Sequence, residues 1–177
     1  MKKLILTLFL ITIHHSFYAQ SSDKISREIR SEVDKTISEN KKEEKKILDR
    51  YYTTKITTYG TNLIEYNKAY ENYYHFINTY LVKNETIVYL HEKGKSAKVS
   101  SGRVKENVSY GDLFEVEYYF IDKSKGYKYE KRISLYKGND VFEKQKELDN
   151  LEYTITEIGN SDYDSIYKFY ESDVKGK

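Results

Sequence analysis

Cysteine, proline and tryptophan are absent from the 177 residues, methionine occurs once, and glycine occurs only eight times. Without cysteine there is no disulfide scaffold, no thiolate zinc site, no cysteine nucleophile and no lipid-modified cysteine anchor. Without proline there is no polyproline ligand or proline-rich linker. The glycines stand singly, so neither a glycine-rich phosphate loop nor a Gly-x-Ser-x-Gly elbow is present. The longest apolar run is about half of the ~20 residues that span a bilayer. What the chain does have is aromatic and charged material: 20 tyrosines, 7 phenylalanines and 33% charged residues. The length suits about one domain.

The N-terminus carries the clearest pattern. Lys2 and Lys3 precede an apolar run, Leu4 to Ile13, and then Phe17-Tyr18-Ala19-Gln20. A basic start, an apolar stretch and a small residue describe a secretory signal peptide, here residues 1–19 with cleavage after Ala19. Loss of Lys2 and Lys3 lowers the 30 basic residues to equal the 28 acidic ones. A neutral mature chain gives no electrostatic reason to expect nucleic acid or an anionic lipid surface as partner. The expected location is periplasmic or extracellular, with no membrane span in the mature form.

Residues 20–50 read as an N-terminal helix, Ser21 to Asp49. Ser21, Ser22 and Asp23 offer capping oxygens, and Ile25, Ile29, Val33 and Ile37 form a narrow apolar stripe. The stripe is interrupted over Asn40 to Lys46, which breaks any coiled-coil register. Residues 51–177 read as one antiparallel-sheet domain with a short C-terminal helix. Tyr51 to Tyr59 has strand composition, ended by Gly60. Asn62 to Leu81 is ambiguous: Leu63, Tyr66, Tyr70, Tyr73, Tyr74, Ile77 and Leu81 fit a helix, while Tyr74-His75-Phe76-Ile77 is echoed by Tyr118-Tyr119-Phe120-Ile121 in a strand. The echo favours a strand over Tyr73 to Ile77, with a helix or loop before it. Further strands are expected at Thr86 to His91, loosely over Ala97 to Val108, and at Leu113 to Ile121, Tyr127 to Tyr136 and Leu151 to Ile158. Helices are expected at Val141 to Asn150 and Asp162 to Tyr170. On the Leu113–Ile121 strand, Phe114, Val116, Tyr118 and Phe120 share a face, and Glu115 and Glu117 are expected on a solvated one. The fold class is α+β: an N-terminal helix plus an antiparallel β-meander of about five to seven strands. A helical Asn62–Leu81 would give instead two helices and four or five strands, an order like that of BLIP-like or NTF2-like envelope domains.

Tyrosine buries a large ring while its hydroxyl reaches water or a partner, so a sheet with tyrosine on both faces can present an aromatic ligand platform. Tyr118, Tyr127 and Tyr129 are the residues expected to form it. His75 and His91, on neighbouring strands, are the candidate general bases of an enzyme, and with Glu92 or Glu71 a conceivable metal triad. His91-Glu92 begins a zincin-like motif, but Lys95 stands where its second histidine would be. Asn160, Asp162, Asp164 and Glu171 match the ligand spacing of a calcium loop, with Ser165 at the position that needs glycine; the other reading is an Asx turn capping a helix. No other cofactor is expected.

The leader ending Tyr18-Ala19-Gln20 and the Tyr118-Tyr119-Phe120 and Tyr74-His75-Phe76 segments resemble small secreted tyrosine-rich proteins of AT-rich Gram-negative bacteria, built on Tyr-Tyr-Phe hairpins. The resemblance implies export more than activity. Three functions stay open at this level. One is a secreted, non-catalytic binding or structural module of the envelope, taking an envelope protein, peptide or glycan on a Tyr-rich sheet face. Another is a small secreted hydrolase with a pocket on that face. The last is an adaptor docking through its N-terminal helix.

Overall fold

The computed structural model describes residues 22–48, 52–70, 74–97 and 109–176. Helix α1 covers 22–39. Eight strands follow, β1 (Lys42–Leu48), β2 (Thr53–Tyr59), β3 (Leu63–Tyr70), β4 (Tyr74–Lys83), β5 (Thr86–Ala97), β6 (Gly111–Asp122), β7 (Lys125–Leu135) and β8 (Thr154–Ile158). Helix α2 (Val141–Asp149) lies between β7 and β8, and α3 (Asn160–Phe169) runs into a π-helical turn, Tyr170–Val174. Every strand pairs antiparallel with the next in sequence, so the sheet order is β1 to β8 without a crossover. The expected α+β meander is the observed fold, with eight strands rather than five to seven.

The extra strands come from two segments where local pattern points elsewhere. The N-terminal helix does not run to Asp49. It ends at residue 39, where the amide and side chain of Asn40 both donate to the Thr36 carbonyl at 3.2 and 2.9 Å. A side chain that satisfies a terminal carbonyl stops a helix. The charged stretch after it becomes edge strand β1, exposed at all seven positions. Glu44 there bridges Lys42 and, across the ladder, Lys55. Lysines along an edge also discourage pairing with another chain. Asn62–Leu81 is not helical either: its aromatic spacing is split over β3 and β4, which pair from Leu63↔Leu81 to Tyr70↔Tyr74. The strand expected over Ala97–Val108 lies, beyond Ala97, outside the described residues.

Hairpin turns place the register. Asn84 and Glu85 hold φ of 47° and 61° between β4 and β5, the doubly left-handed form that suits the twist of a two-residue hairpin. Between β6 and β7, Asp122 Oδ1 accepts the amide and hydroxyl of Ser124 at 2.7 and 2.6 Å.

Strand alternation gives the sheet two covered faces. On one, Ile25, Ile29 and Val33 of α1 pack on Leu63, Leu81, Tyr89, Tyr119, Tyr127 and Tyr129. The same face, further along, buries Leu148 of α2 against Leu113 and Leu135. Asp140 caps α2 by accepting the amides of Phe142 and Glu143. On the opposite face Tyr163 and Tyr170 pack on Tyr66, Phe76, Tyr80, Ile87, Leu90 and Phe120. Tyr163 also accepts the Ile87 amide through its hydroxyl, 3.2 Å away. Tyrosine is thus the principal core residue of both layers.

Candidate functional site

Two groups of functional side chains remain once the cores are set aside, one on each face. On the α1 face, β5, β6 and β7 carry His91, Glu115, Glu117 and Lys131, with His91 opposite Glu117 and Glu115 opposite Lys131. The expectation that Glu115 and Glu117 are solvated is incorrect. Glu117 is 6% exposed and accepts from Arg30 of α1 and from the Tyr119 hydroxyl. Glu115 takes His91 Nε2 at 2.9 Å on one oxygen and Lys131 Nζ at 2.8 Å on the other. These two donors, His91 foremost, hold the Glu115 carboxyl down at about 2 against its partial burial. Burial and the adjoining Glu117 carboxylate push the Tyr119 hydroxyl far upward, so it remains a donor. His91, Glu115 and Glu117 each bring a ligand atom within 4.8 Å of the others, the spacing of a metal triad. Each carboxylate already faces its own cation, however, so the cluster is charge-balanced as it stands. Its clear consequence is mechanical: it ties α1 to the sheet.

On the α3 face the register builds three parallel rows across β4, β5, β6 and β7. The middle row is Asn78, Glu92, Val116 and Glu130. On one side of it run Phe76, Gly94, Phe114 and Arg132, and on the other Tyr80, Leu90, Tyr118 and Lys128. Val116 is the small member between Phe114 and Tyr118 on its own strand, whose Cα atoms are about 13 Å apart at strand rise. The result is a cleft of about 270 Å³ with Phe169 of α3 completing its lining. Gly94 is required here, because a Cβ would lie 2.2 Å from the His75 carbonyl oxygen and 2.7 Å from the Phe76 Cα.

The two sides of the cleft differ electrically. Asn78 is 2% exposed; its amide donates to Tyr80 Oη at 3.3 Å and to Glu92, while its Oδ1 has no partner among the described residues. Burial raises the Glu92 carboxyl, with the Asn78 hydrogen bond opposing it. Across Val116, burial also works on Glu130, but hydrogen bonds from Lys128 and Arg132 outweigh it and hold that carboxyl low. Arg132 lies over the Phe114 ring at 5.3 Å, and Tyr118 is stacked parallel to Phe120 at 6.3 Å.

The expected site residues separate on this frame. Tyr118 lines the cleft. Tyr127 and Tyr129 lie on the other face, 3% and 5% exposed beneath α1, so the three do not form one platform. His75 and His91 are on adjacent strands, but His91 is opposite Thr79, four residues from His75. At strand rise that is about 13 Å. His75 contacts Asn67 instead, at 3.1 Å, Glu92 points to the opposite face from both histidines, and Glu71 lies outside the described residues. Asn160, Asp162 and Asp164 fall on helix α3 rather than a loop, and successive second residues on a helix turn about 200° apart, so they do not converge. Asp162 accepts the Gly159 amide at 3.1 Å as part of the helix start, and Glu171 pairs with Lys175.

Asn78 was not legible as a site residue, and Glu92 was legible only as a metal ligand beside the histidines, from which the register separates it. The face shared by Phe114, Val116 and Tyr118 was readable along β6, but which residues of β4 and β7 flank it depends on register. The chain matches no protein-family model, and no curated protein or solved structure is found similar to it.

Proposed function

We propose that this protein is an exported binding module of the bacterial envelope whose ligand cleft is the one between Phe114 and Tyr118 on the α3 face. One observation carries the reading: Asn78, a 98%-buried amide among the residues lining an aromatic-walled cleft, has a side-chain oxygen with no partner among the described residues. A buried acceptor without a donor costs on the order of 1–3 kcal/mol, so such a group is expected where a ligand supplies the missing donor. The cleft is slightly smaller than the roughly 300–1,000 Å³ of drug-sized sites, which suits a compact group of a larger molecule. Binding, rather than hydrolysis by His75 or His91, is favoured because both histidines face the other side of the sheet.

The test is an NMR titration of the isotopically labelled protein with soluble peptidoglycan fragments, which carry both sugar and peptide. Shifts centred on Phe114, Val116, Tyr118 and Glu92, lost in Tyr118→Ala, are the expected result. Shifts confined to α1 would replace this reading with the adaptor reading.

A further inference from the structure

We infer that the slot over Val116 is shaped to hold one pyranose ring of a glycan, with Asn78 and Glu92 reading its hydroxyls. The inference rests on the reading that this cleft is the ligand site, and it names the ligand class.

The slot has two kinds of wall. Phe114 and Tyr118 supply apolar surface at its ends, and Asn78 with Glu92 on one side and Lys128, Glu130 and Arg132 on the other supply polar atoms along its flanks. A pyranose has the matching distribution: C–H groups on its faces and a belt of hydroxyls at its rim. Each hydroxyl both donates and accepts. It can therefore donate to Asn78 Oδ1 and accept from Lys128 or Arg132, whose three and five N–H groups outnumber their ion pairs with Glu130 and, for Arg132, Asp112.

Other ligand classes fit less well. An extended peptide binds by adding to a sheet edge, whereas the slot lies over β5, β6 and β7, each paired on both sides. A cationic ligand would want an ionised carboxylate. Burial favours the neutral form of Glu92, and Glu130 is already shared by two cations.

The experiment titrates the labelled full chain with N-acetylglucosamine, with methyl β-glucopyranoside, and separately with an Ala-Glu-Lys tripeptide. Saturable shifts at Phe114, Val116 and Tyr118 with either sugar, and a Kd weakened about ten-fold in Asn78→Leu, support the inference. If Asn78→Leu does not fold, Tyr118→Leu is used, with the same loss expected. Binding of the tripeptide in the cleft without the sugars overturns the ligand class and leaves the cleft as a binding site. Sugar shifts elsewhere, or no response to any probe, overturn both.

Discussion

Arg30 of α1 and Glu117 of β6, 87 residues apart in sequence, are joined by two hydrogen bonds to a single carboxylate oxygen, Nε at 3.0 Å and the terminal nitrogen at 2.5 Å. The Tyr119 hydroxyl lies 2.7 Å from the same guanidinium. Arg30 is nearly half exposed while Glu117 is buried. The burden of a broken pair therefore falls on the carboxylate.

Arg30→Met should lower stability by about 1–3 kcal/mol, because it leaves Glu117 buried beside a hydroxyl alone. Glu117→Gln in the Arg30→Met background should recover part of that loss. Urea denaturation of the two variants measures both; equal stability of Arg30→Met and the parent would show that the Arg30–Glu117 pair does not hold α1 to the sheet.

Tyr129 and Tyr119 offer a matched comparison, since both are buried tyrosines on one face. The Tyr129 hydroxyl has no partner among the described residues, whereas Tyr119 is bonded to Arg30 and Glu117. Tyr129→Phe should be neutral or stabilising, and Tyr119→Phe should cost about 1–2 kcal/mol. Truncating Tyr127 or Tyr129 to alanine should cost about 3–5 kcal/mol as core loss. Thermal melts of the four variants rank them.

Acid stability should reflect Glu115. Its carboxyl titrates at about 2 in the folded chain against 4.5 ordinarily, so the folded form gains from ionisation. That gain is complete above pH ~4.5 and is lost as pH falls towards 2. Glu115→Gln should therefore flatten the stability profile between pH 4.5 and 2 while lowering stability at neutral pH. A profile with an unchanged acid limb would contradict the His91–Glu115–Lys131 linkage.

Gly94→Ala should be severely destabilising, by more than about 2 kcal/mol, because the new methyl meets backbone of β4 that cannot swing aside. Gly138→Ala makes a useful control, as nothing lies within 4 Å there and only its φ of +87° is strained. Calorimetry of both separates steric from conformational cost.

The sequence made the apolar stripe of α1, helices α2 and α3 and the inward face of β6 legible, because each is a strong local period. It misled at Lys42–Leu48, where an edge strand held by Glu44 and Lys55 needs no apolar residue. It misled again at Leu63–Tyr70, where the apolar spacing mimics a helix but the stretch is a hairpin with Tyr66, Phe76 and Tyr80 on one face and Leu63 and Leu81 on the other. Tyr118 was identifiable as a cleft residue from composition. Its separation from Tyr127 and Tyr129 was not, since the two sheet faces are assigned by cross-strand register: Tyr127 is opposite Tyr119, not Tyr118.

The uninterrupted neighbour-to-neighbour order of the eight strands bears on how the polypeptide reaches its shape. Each ladder can close once the next strand emerges, through short turns everywhere except the longer β5–β6 and β7–β8 connections, so zippering along the sheet should be rapid. Helix α1 is the exception: it precedes every strand in the chain, yet its anchor Glu117 arrives only with β6. It therefore settles after the strands that follow it up to β6, and until then the tyrosines it shelters stay open to water and to chaperones.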